Sequence, residues 1–350
     1  MLQAQKHIPV FYEGSDDLIA IIATSIASIC YNTKSFIDFY ILDCGICNFN
    51  KKQLESLKSR FSNFSIEFIP VDLSQFEGLS GWGEKNHLDC YARLLIPELK
   101  PNLDKIIYLD SDVIALDDIN LLWLQDLENY VYAAVPDLGY SEIYLKNCVE
   151  NLGLLKEHIF PNAGVLLIDA QKCRKINFTQ EILSIAREKK EFLLANTEDL
   201  LSIYFGTNNY KRLDNRYNLT DRKNEIESTS APFITNEYLK NEWQHIVFQH
   251  LSPGKAWKIA TNHYTGDDLK LFDDFWFFAQ MTPFFEGLKL RFIQKCINRE
   301  ISEKFKQKQT KESLKLFSFL PLLNINQKAD CVRYKLFGYL PIMKKKIRRL

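Results

Sequence analysis

Asp110, Ser111 and Asp112 follow directly on the apolar run "KIIYL" within "KIIYLDSDVIALDDINLLW". Side chains of an extended segment repeat with period two, so both carboxylates fall on one side, where they repel each other. A cation resolves that conflict. Oxygen ligands favour a hard ion such as magnesium, and a neutral imidazole beside them tilts the choice toward manganese. Such an ion keeps coordination sites for phosphate oxygens and, as a Lewis acid, neutralises a departing diphosphate. The competing reading, two aspartates that only cap a turn, leaves the repulsion unexplained, since Ser111 alone would serve a turn.

The imidazole is expected from "IVFQHLSPGKAW", where His250 ends an apolar run. A histidine standing alone reads as core or surface. Here a Pro-Gly-Lys turn follows, and the backbone donors at Gly254 and the Lys255 ammonium suit phosphate oxygens. Asp110, Asp112 and His250 are therefore the candidate metal ligands, with Gly254 and Lys255 beside them for a diphosphate.

Alternating strand-like and helix-like runs must position these residues. "HIPVFY", "SFIDFYILD", "FSIEFIPV", "KIIYLD", "YVYAAVPD" and "AGVLLIDA" read as strands. "DDLIAIIATSIASICYN", "NKKQLESLKSRF" with Asn50 as cap, "HLDCYARLLIPEL" and "KCRKINFTQEILSIAREKK" read as helices. Strand, helix and strand in alternation point to an α/β fold with a parallel sheet covered on both faces. Asp16, Asp72, Asp110, Asp112 and Asp137 all fall just past strand ends, where doubly wound sheets bind ligands. Trp82, in the glycine-rich "LSQFEGLSGWGEKN", is a candidate lid.

Formal charge is zero, from 44 Lys+Arg against 44 Asp+Glu, but residues 284–350 carry 17 against 5 and the preceding part 27 against 39. An acidic body with a basic tail suggests two jobs. The tail contains an echo, "KLFSFLPLLNI" from Lys315 and "KLFGYLPIMKK" from Lys335, and reads as an amphipathic segment lying on an anionic membrane surface. Residues 1–283 form the catalytic domain in this reading and 284–350 the membrane-association segment. Nothing resembles a nucleic-acid-binding module. Leu18 to Thr33, 16 uncharged residues with four Ser/Thr, is shorter than the ~20 that span a bilayer and reads as a buried helix. The eight cysteines are scattered, and "MLQAQKHIPV" lacks a secretory pattern. Reduced thiols are expected, and a cytoplasmic protein, peripheral on the inner face of the cytoplasmic membrane. Cys44-x-x-Cys47 reads as a chance pair in a loop.

"IPVFYEGSDDLIA", "YARLLIPEL", "KIIYLDSDVIALDDINLLW", "VPDLG", "FPNAGVLLIDAQKCRK", "TEDLLS" and "HLSPGKAW", in this order, resemble glycosyltransferase family 8, whose bacterial members include lipooligosaccharide galactosyltransferases and glucosyltransferases. The resemblance implies a GT-A fold, a Rossmann-like mixed sheet with helices on both faces, acting as a retaining hexosyltransferase. It implies UDP-galactose or UDP-glucose as donor, manganese (with magnesium as the alternative) on Asp110, Asp112 and His250, and a saccharide acceptor, lipid-linked and of the lipooligosaccharide core. By the same resemblance Asp16 contacts the uracil or ribose, Arg93 and Ser111 lie near the donor, and Asn162, Ala163 and Gly164 approach its sugar. The family's Asp-Gln-Asp block stands here as Thr197, Glu198 and Asp199, and Leu18 replaces a frequent Asn. Glu198, Asp137 and Asp199 are the candidate catalytic acids. Glu198 either attacks the anomeric carbon or supports front-face departure of the phosphate. Two other readings stay open: a haloacid-dehalogenase-like phosphatase, which shares a strand followed by D-x-D, and a non-catalytic, degenerate transferase.

Overall fold

The structure, a computed structural model, describes residues 7–81, 87–137, 142–220, 245–252, 255–257, 266–307, 323–328, 331–336 and 340–346. Its strands are β1 (His7–Gly14), β2 (Phe36–Asp43), β3 (Phe64–Pro70), β4 (Lys105–Leu109), β5 (Val113–Ala115), β6 (Tyr132–Pro136), β7 (Pro161–Asp169), β8 (Lys211–Arg212), β9 (Leu219–Thr220), β10 (Phe248–His250), β11 (Leu323–Lys328), β12 (Cys331–Leu336) and β13 (Leu340–Lys346). Its helices are α1 (Ile19–Asn32), α2 (Asn48–Glu55), α3 (Ile96–Leu99), α4 (Asn120–Trp123), α5 (Glu142–Glu150), α6 (Ala170–Lys175), α7 (Phe178–Lys189), α8 (Thr197–Phe205), α9 (Gly266–Ala279) and α10 (Phe285–Gln307), with 3-10 segments such as Leu88–Leu95 between them. The chain divides into two units, Met1–Ala256 with Ala260–Leu288, and Trp257–Ile259 with Lys289–Leu350.

The first unit holds a seven-stranded sheet in the order β3-β2-β1-β4-β7-β6-β8. Alternate residues face opposite sides, as period two requires. Phe11, Tyr108 and Leu166 pack in one core; Val10, Tyr12, Ile107, Leu109, Val165 and Leu167 pack in the other. All six strand readings from the sequence correspond to strands, and β1 to β4 run parallel to one another. β7 makes the sheet mixed, as the family resemblance implies, because it runs antiparallel to both β4 and β6. The connection through α5 leaves β6 and re-enters β7 at one end of the sheet, where Pro136 pairs with Pro161. That topology brings the start of β7 to the same rim as the end of β4.

A smaller sheet, β5-β10-β9, carries the rim's other half. β10 runs antiparallel to β5 with His250 opposite Val113, and parallel to β9 with His250 opposite Thr220. α1 braces its outer edge. This helix is buried from Ile19 to Cys30, and its polar residues meet the backbone of β5 and the turn after it. Ser25 Oγ donates to Val113 O, Ser28 Oγ accepts from Ala115 N at 2.9 Å, Asn32 Nδ2 donates to Ala115 O at 2.9 Å, and Thr33 Oγ1 accepts from Ile119 N at 3.2 Å. Polar residues in a buried helix thus satisfy the free edge of a strand.

Three helix readings need local correction. Asn50 does not cap α2, which starts at Asn48; its side chain reaches back to Asp16. The long helix expected over 172–190 breaks into α6 and α7 at Asn177, which sits at φ +51, a left-handed conformation that Asn tolerates. "HLDCYARLLIPEL" begins as a 3-10 helix and becomes helical only at α3, with Pro97 at its start.

In the second unit β11-β12-β13 form an antiparallel sheet. The described parts of the second copy of the echo lie on β12 (Lys335 and Leu336) and on β13 (Leu340 to Lys345), and Pro341 falls on β13, an edge strand where its missing N–H is tolerated. Much of the first copy lies outside the described residues, as does Trp82. No helix among the described residues is long and apolar enough to cross a membrane.

Ser28→Ala removes the partner of a buried N–H, and is expected to lower unfolding free energy in urea by ~1–3 kcal/mol. Ser56→Ala, at an exposed hydroxyl, should change it by less than ~0.5 kcal/mol.

Candidate functional site

The strand order reverses between β1 and β4, and the candidate residues gather beyond the carboxyl ends of these two strands. Asp110 ends β4, and its backbone N–H donates to Gly164 O at 2.8 Å, tying the D-x-D turn to β7. Leu251 N–H donates to Asp112 O at 3.0 Å, extending the β5–β10 pairing to the second aspartate. As a result His250 Nε2 lies 3.8 Å from Asp110 Oδ2 and 3.5 Å from Asp112 Oδ1. One ligand atom from each residue falls within 4.8 Å of the other two, and among the described residues this is the group that could hold a metal ion. Ligands about 2.1 Å from one ion are about 3–4 Å apart, so the spacing fits a divalent cation.

Positive charge surrounds the pair. Arg93, buried at 8% exposure, donates through Nη2 to Glu13 Oε1 at 2.7 Å, pairs with Asp110 Oδ1 at 3.0 Å, donates through Nη1 to Ala163 O at 2.9 Å and stacks 4.3 Å from the Tyr108 ring centroid. Burial pulls its pKa down, but Asp110 and Glu13 outweigh that and hold it well above its ordinary value. One cation shared by two carboxylates cannot hold both down. Burial, together with Asp110 and Asp89, raises Glu13 from 4.5 to about 7 despite Arg93. The Lys255 ammonium pairs with Asp112 Oδ2. Burial pushes the Asp112 carboxyl up, yet Lys255 and His250 outweigh it and hold the group well below the usual carboxylate range.

Gly164 has a different role from the one expected. A Cβ there would lie 2.7 Å from His250 Nδ1 and closer still to Cε1, so the glycine makes room for the imidazole. Asn162 is likewise engaged within the protein: Oδ1 accepts from Gly164 N at 2.9 Å and from Asn218 Nδ2 at 2.7 Å, while Nδ2 donates to Asp137 Oδ2 at 2.9 Å. Asn218 in turn meets His250 Nδ1 at 3.0 Å.

Glu198, in the first turn of α8, accepts from Ala163 N at 3.0 Å and so borders the Asn162–Gly164 segment. Asp199 does not share that placement. It is fully buried, one oxygen accepting from Tyr144 and the other from Leu194 N and Ala195 N, both at 2.7 Å. Burial raises its pKa against those hydrogen bonds. Through these bonds Asp199 holds the loop that precedes Glu198. Thr197 is buried beside it. Asp72 also leaves the acidic rim, because its carboxylate caps a short 3-10 turn by accepting from Ser74 N at 2.9 Å.

Asp16 accepts from Cys47 N at 2.9 Å and Asn50 Nδ2 at 2.8 Å, bonds that lower its pKa. It lines a cleft of about 500 Å³ with Ser15, Asp17, Gly45, His87 and Asp89, past the ends of β1 and β2. Ser111 is half-buried in the turn between the ligating aspartates, and Gly254 lies outside the described residues. Cys44 and Cys47 are free thiols, as are Cys30, Cys90, Cys148, Cys173 and Cys296. Sequence reasoning missed Glu13 and Asn218. A carboxylate inside the apolar run of β1 was a signal for Glu13; Asn218 had none.

Paired carboxylates at the switch point of a mixed sheet are an arrangement of GT-A glycosyltransferases. Residues 9–250 match the family model "Glycosyl transferase family 8", and the chain belongs to that family. It is 28% identical over 245 residues to General stress protein A of Bacillus subtilis, covering 66% of this chain and 80% of that protein. It is 29% identical over 195 residues to glycosyltransferase GlyF of Streptococcus pneumoniae, covering 56% and 44%. Its fold is similar to that of the galactosyltransferase LgtC in complex with donor and acceptor sugar analogues, at TM-score 0.66 and 22% identity, over 79% of this chain and 96% of that one.

Gly164→Ala is expected to leave the sheet folded, by circular dichroism, while glycosyl transfer falls by more than ~100-fold through displacement of His250. The raised Glu13 pKa has a definite sign: between pH 4.5 and about 7 the unfolded chain ionises this group before the folded one does, so its contribution to stability is lost as pH rises. The unfolding free energy of the wild type minus that of Glu13→Gln should decline across this window in urea titrations. A flat difference would mean that Glu13 is already ionised in the folded protein.

Proposed function

We propose that the protein transfers a hexose, galactose or glucose, from a UDP-sugar to a saccharide acceptor with retention of configuration, using a divalent cation held by Asp110, Asp112 and His250. The observation that carries this reading is the convergence of those three ligand atoms at the switch point of a GT-A sheet. Manganese suits two carboxylate oxygens and an imidazole nitrogen, and when bound it supplies Lewis-acid stabilisation of the leaving diphosphate. Asp16 and the cleft beside it receive the uridine. Lys255 brings a second positive charge to the diphosphate, Arg93 keeps Asp110 in orientation, and Glu198 faces the sugar from beside Ala163. Asp137 positions Asn162 rather than acting on the substrate itself.

The basic second unit accounts for a lipid-linked acceptor such as lipooligosaccharide core. The 12 net positive charges of residues 284–350, whose cations all lie in that unit, would draw the enzyme to the anionic cytoplasmic face of a membrane, at about 1 kcal/mol per cation near the surface.

UDP release from UDP-galactose and UDP-glucose is expected with manganese and should stop with chelator. Asp112→Asn should lose more than the roughly 10–100-fold typical of an outer-shell partner. Metal-dependent phosphate release from simple monoesters without UDP release would instead favour the phosphatase, and no turnover of either kind a binding protein. In liposome flotation with anionic vesicles the full chain should float and a chain truncated after Leu288 should not; equal flotation of both would remove the tail's role.

A further inference from the structure

We infer that Asn218 sets the tautomer of His250, holding the proton on Nδ1 so that Nε2 presents its lone pair to the space shared with Asp110 and Asp112. The inference rests on the metal-dependent reading above and extends it to a residue outside the ligand set. Its basis is a chain of hydrogen bonds whose direction is determined at one end. Gly164 N–H can only donate, so the Asn162 atom 2.9 Å away is the oxygen. The other end of that amide then donates to the Asp137 carboxylate at 2.9 Å, which can only accept when ionised. The Asn218 atom 2.7 Å from Asn162 Oδ1 must be its nitrogen. Asn218 Oδ1 is therefore the atom facing His250 Nδ1 at 3.0 Å, and Nδ1 must carry the hydrogen.

The links from Gly164 through Asn162 and Asn218 to His250 are sealed from solvent, with Asn218 at 1% exposure, His250 at 5% and Asn162 at 8%. Water cannot replace a link cheaply, and an unpaired amide in this place costs about 1–3 kcal/mol. Outer-shell partners of this kind fix ring orientation and raise ligand basicity. Asn218 is a positioning residue: it touches neither the cation site nor the cleft, and acts through His250.

The test uses the full chain. Long-range proton–nitrogen NMR of histidine-labelled, metal-free protein at pH 8 should show the His250 ring with Nδ1 protonated and Nε2 bare, assigned by the loss of its signals in His250→Ala. A ring protonated on Nε2 overturns the inference. Titration calorimetry with manganese chloride should then give about 10–100-fold weaker binding for Asn218→Leu than for the wild type. Asn218→Asp, which still accepts from Nδ1 but loses the donor to Asn162 Oδ1, should retain the tautomer and lose less affinity than Asn218→Leu. Equal losses in the two variants would mean that Asn218 only supports the local packing, and would overturn the inference. If Asn218→Leu fails to fold, the wild-type spectrum and Asn218→Asp still decide. Wild-type protein that binds no manganese would refute the metal-dependent reading while the NMR result still stands or falls separately.

Discussion

Two carboxylates at the mouth of a buried strand are the constraint from which the rest of this site follows. At about 4 Å, like charges repel by roughly 4 kcal/mol at the effective dielectric of a protein surface, and Asp112 is itself buried. The protein answers with two cations and an imidazole. Arg93 reaches Asp110 from the 3-10 segment before α3, Lys255 reaches Asp112 from beyond β10, and His250 lies between the two aspartates. Arg93 also faces Glu13 at the end of β1, so a single guanidinium joins β1, β4 and β7 under the rim. A divalent cation bound there, as proposed above, would complete the balance and supply the charge that a leaving diphosphate requires.

The fold's departures from a simple doubly wound sheet all serve this rim. An all-parallel arrangement would put the start of β7 at the opposite end of the sheet from Asp110. Reversal of β7 instead places Asn162, Ala163 and Gly164 beside the D-x-D turn, where Gly164 accommodates the imidazole and Asn162 starts the hydrogen-bond chain toward it. The small β5-β10-β9 sheet fixes the histidine in register with Val113, and the serines of α1 hold β5 against the helix. Uncharged polar residues inside a buried helix are costly unless paired, and here the paired groups are the edge of the strand that follows Asp112.

Much of this was legible from residue order. Six strands, the buried nature of α1, and the gathering of acids past strand ends follow from periodicity and from where apolar runs stop. Asp110, Asp112 and His250 could be nominated because their chemistry is incomplete without one another. Asp199 and Asp72 show the limit of such nominations. Both are acids at promising positions, yet one holds a loop through Tyr144 and two backbone N–H groups, and the other caps a turn. Adjacent acids in a motif look alike until their hydrogen-bond partners are known. Asn218 was hidden for the opposite reason, since a single asparagine between Tyr217 and Leu219 carries no pattern at all.

The sequence by itself determined the alternation of strands and helices, the nomination of Asp110, Asp112 and His250 as candidate metal ligands and the separation of an acidic body from a basic end, because these depend on local periodicity and on charge. Only the tertiary structure decided which strand reverses, that Gly164 yields its space to His250, and that Glu198 borders the site while Asp199 supports it. Those outcomes depend on contacts between residues far apart in the chain, and the sterics and hydrogen-bond directions that select them exist only once the strands are side by side.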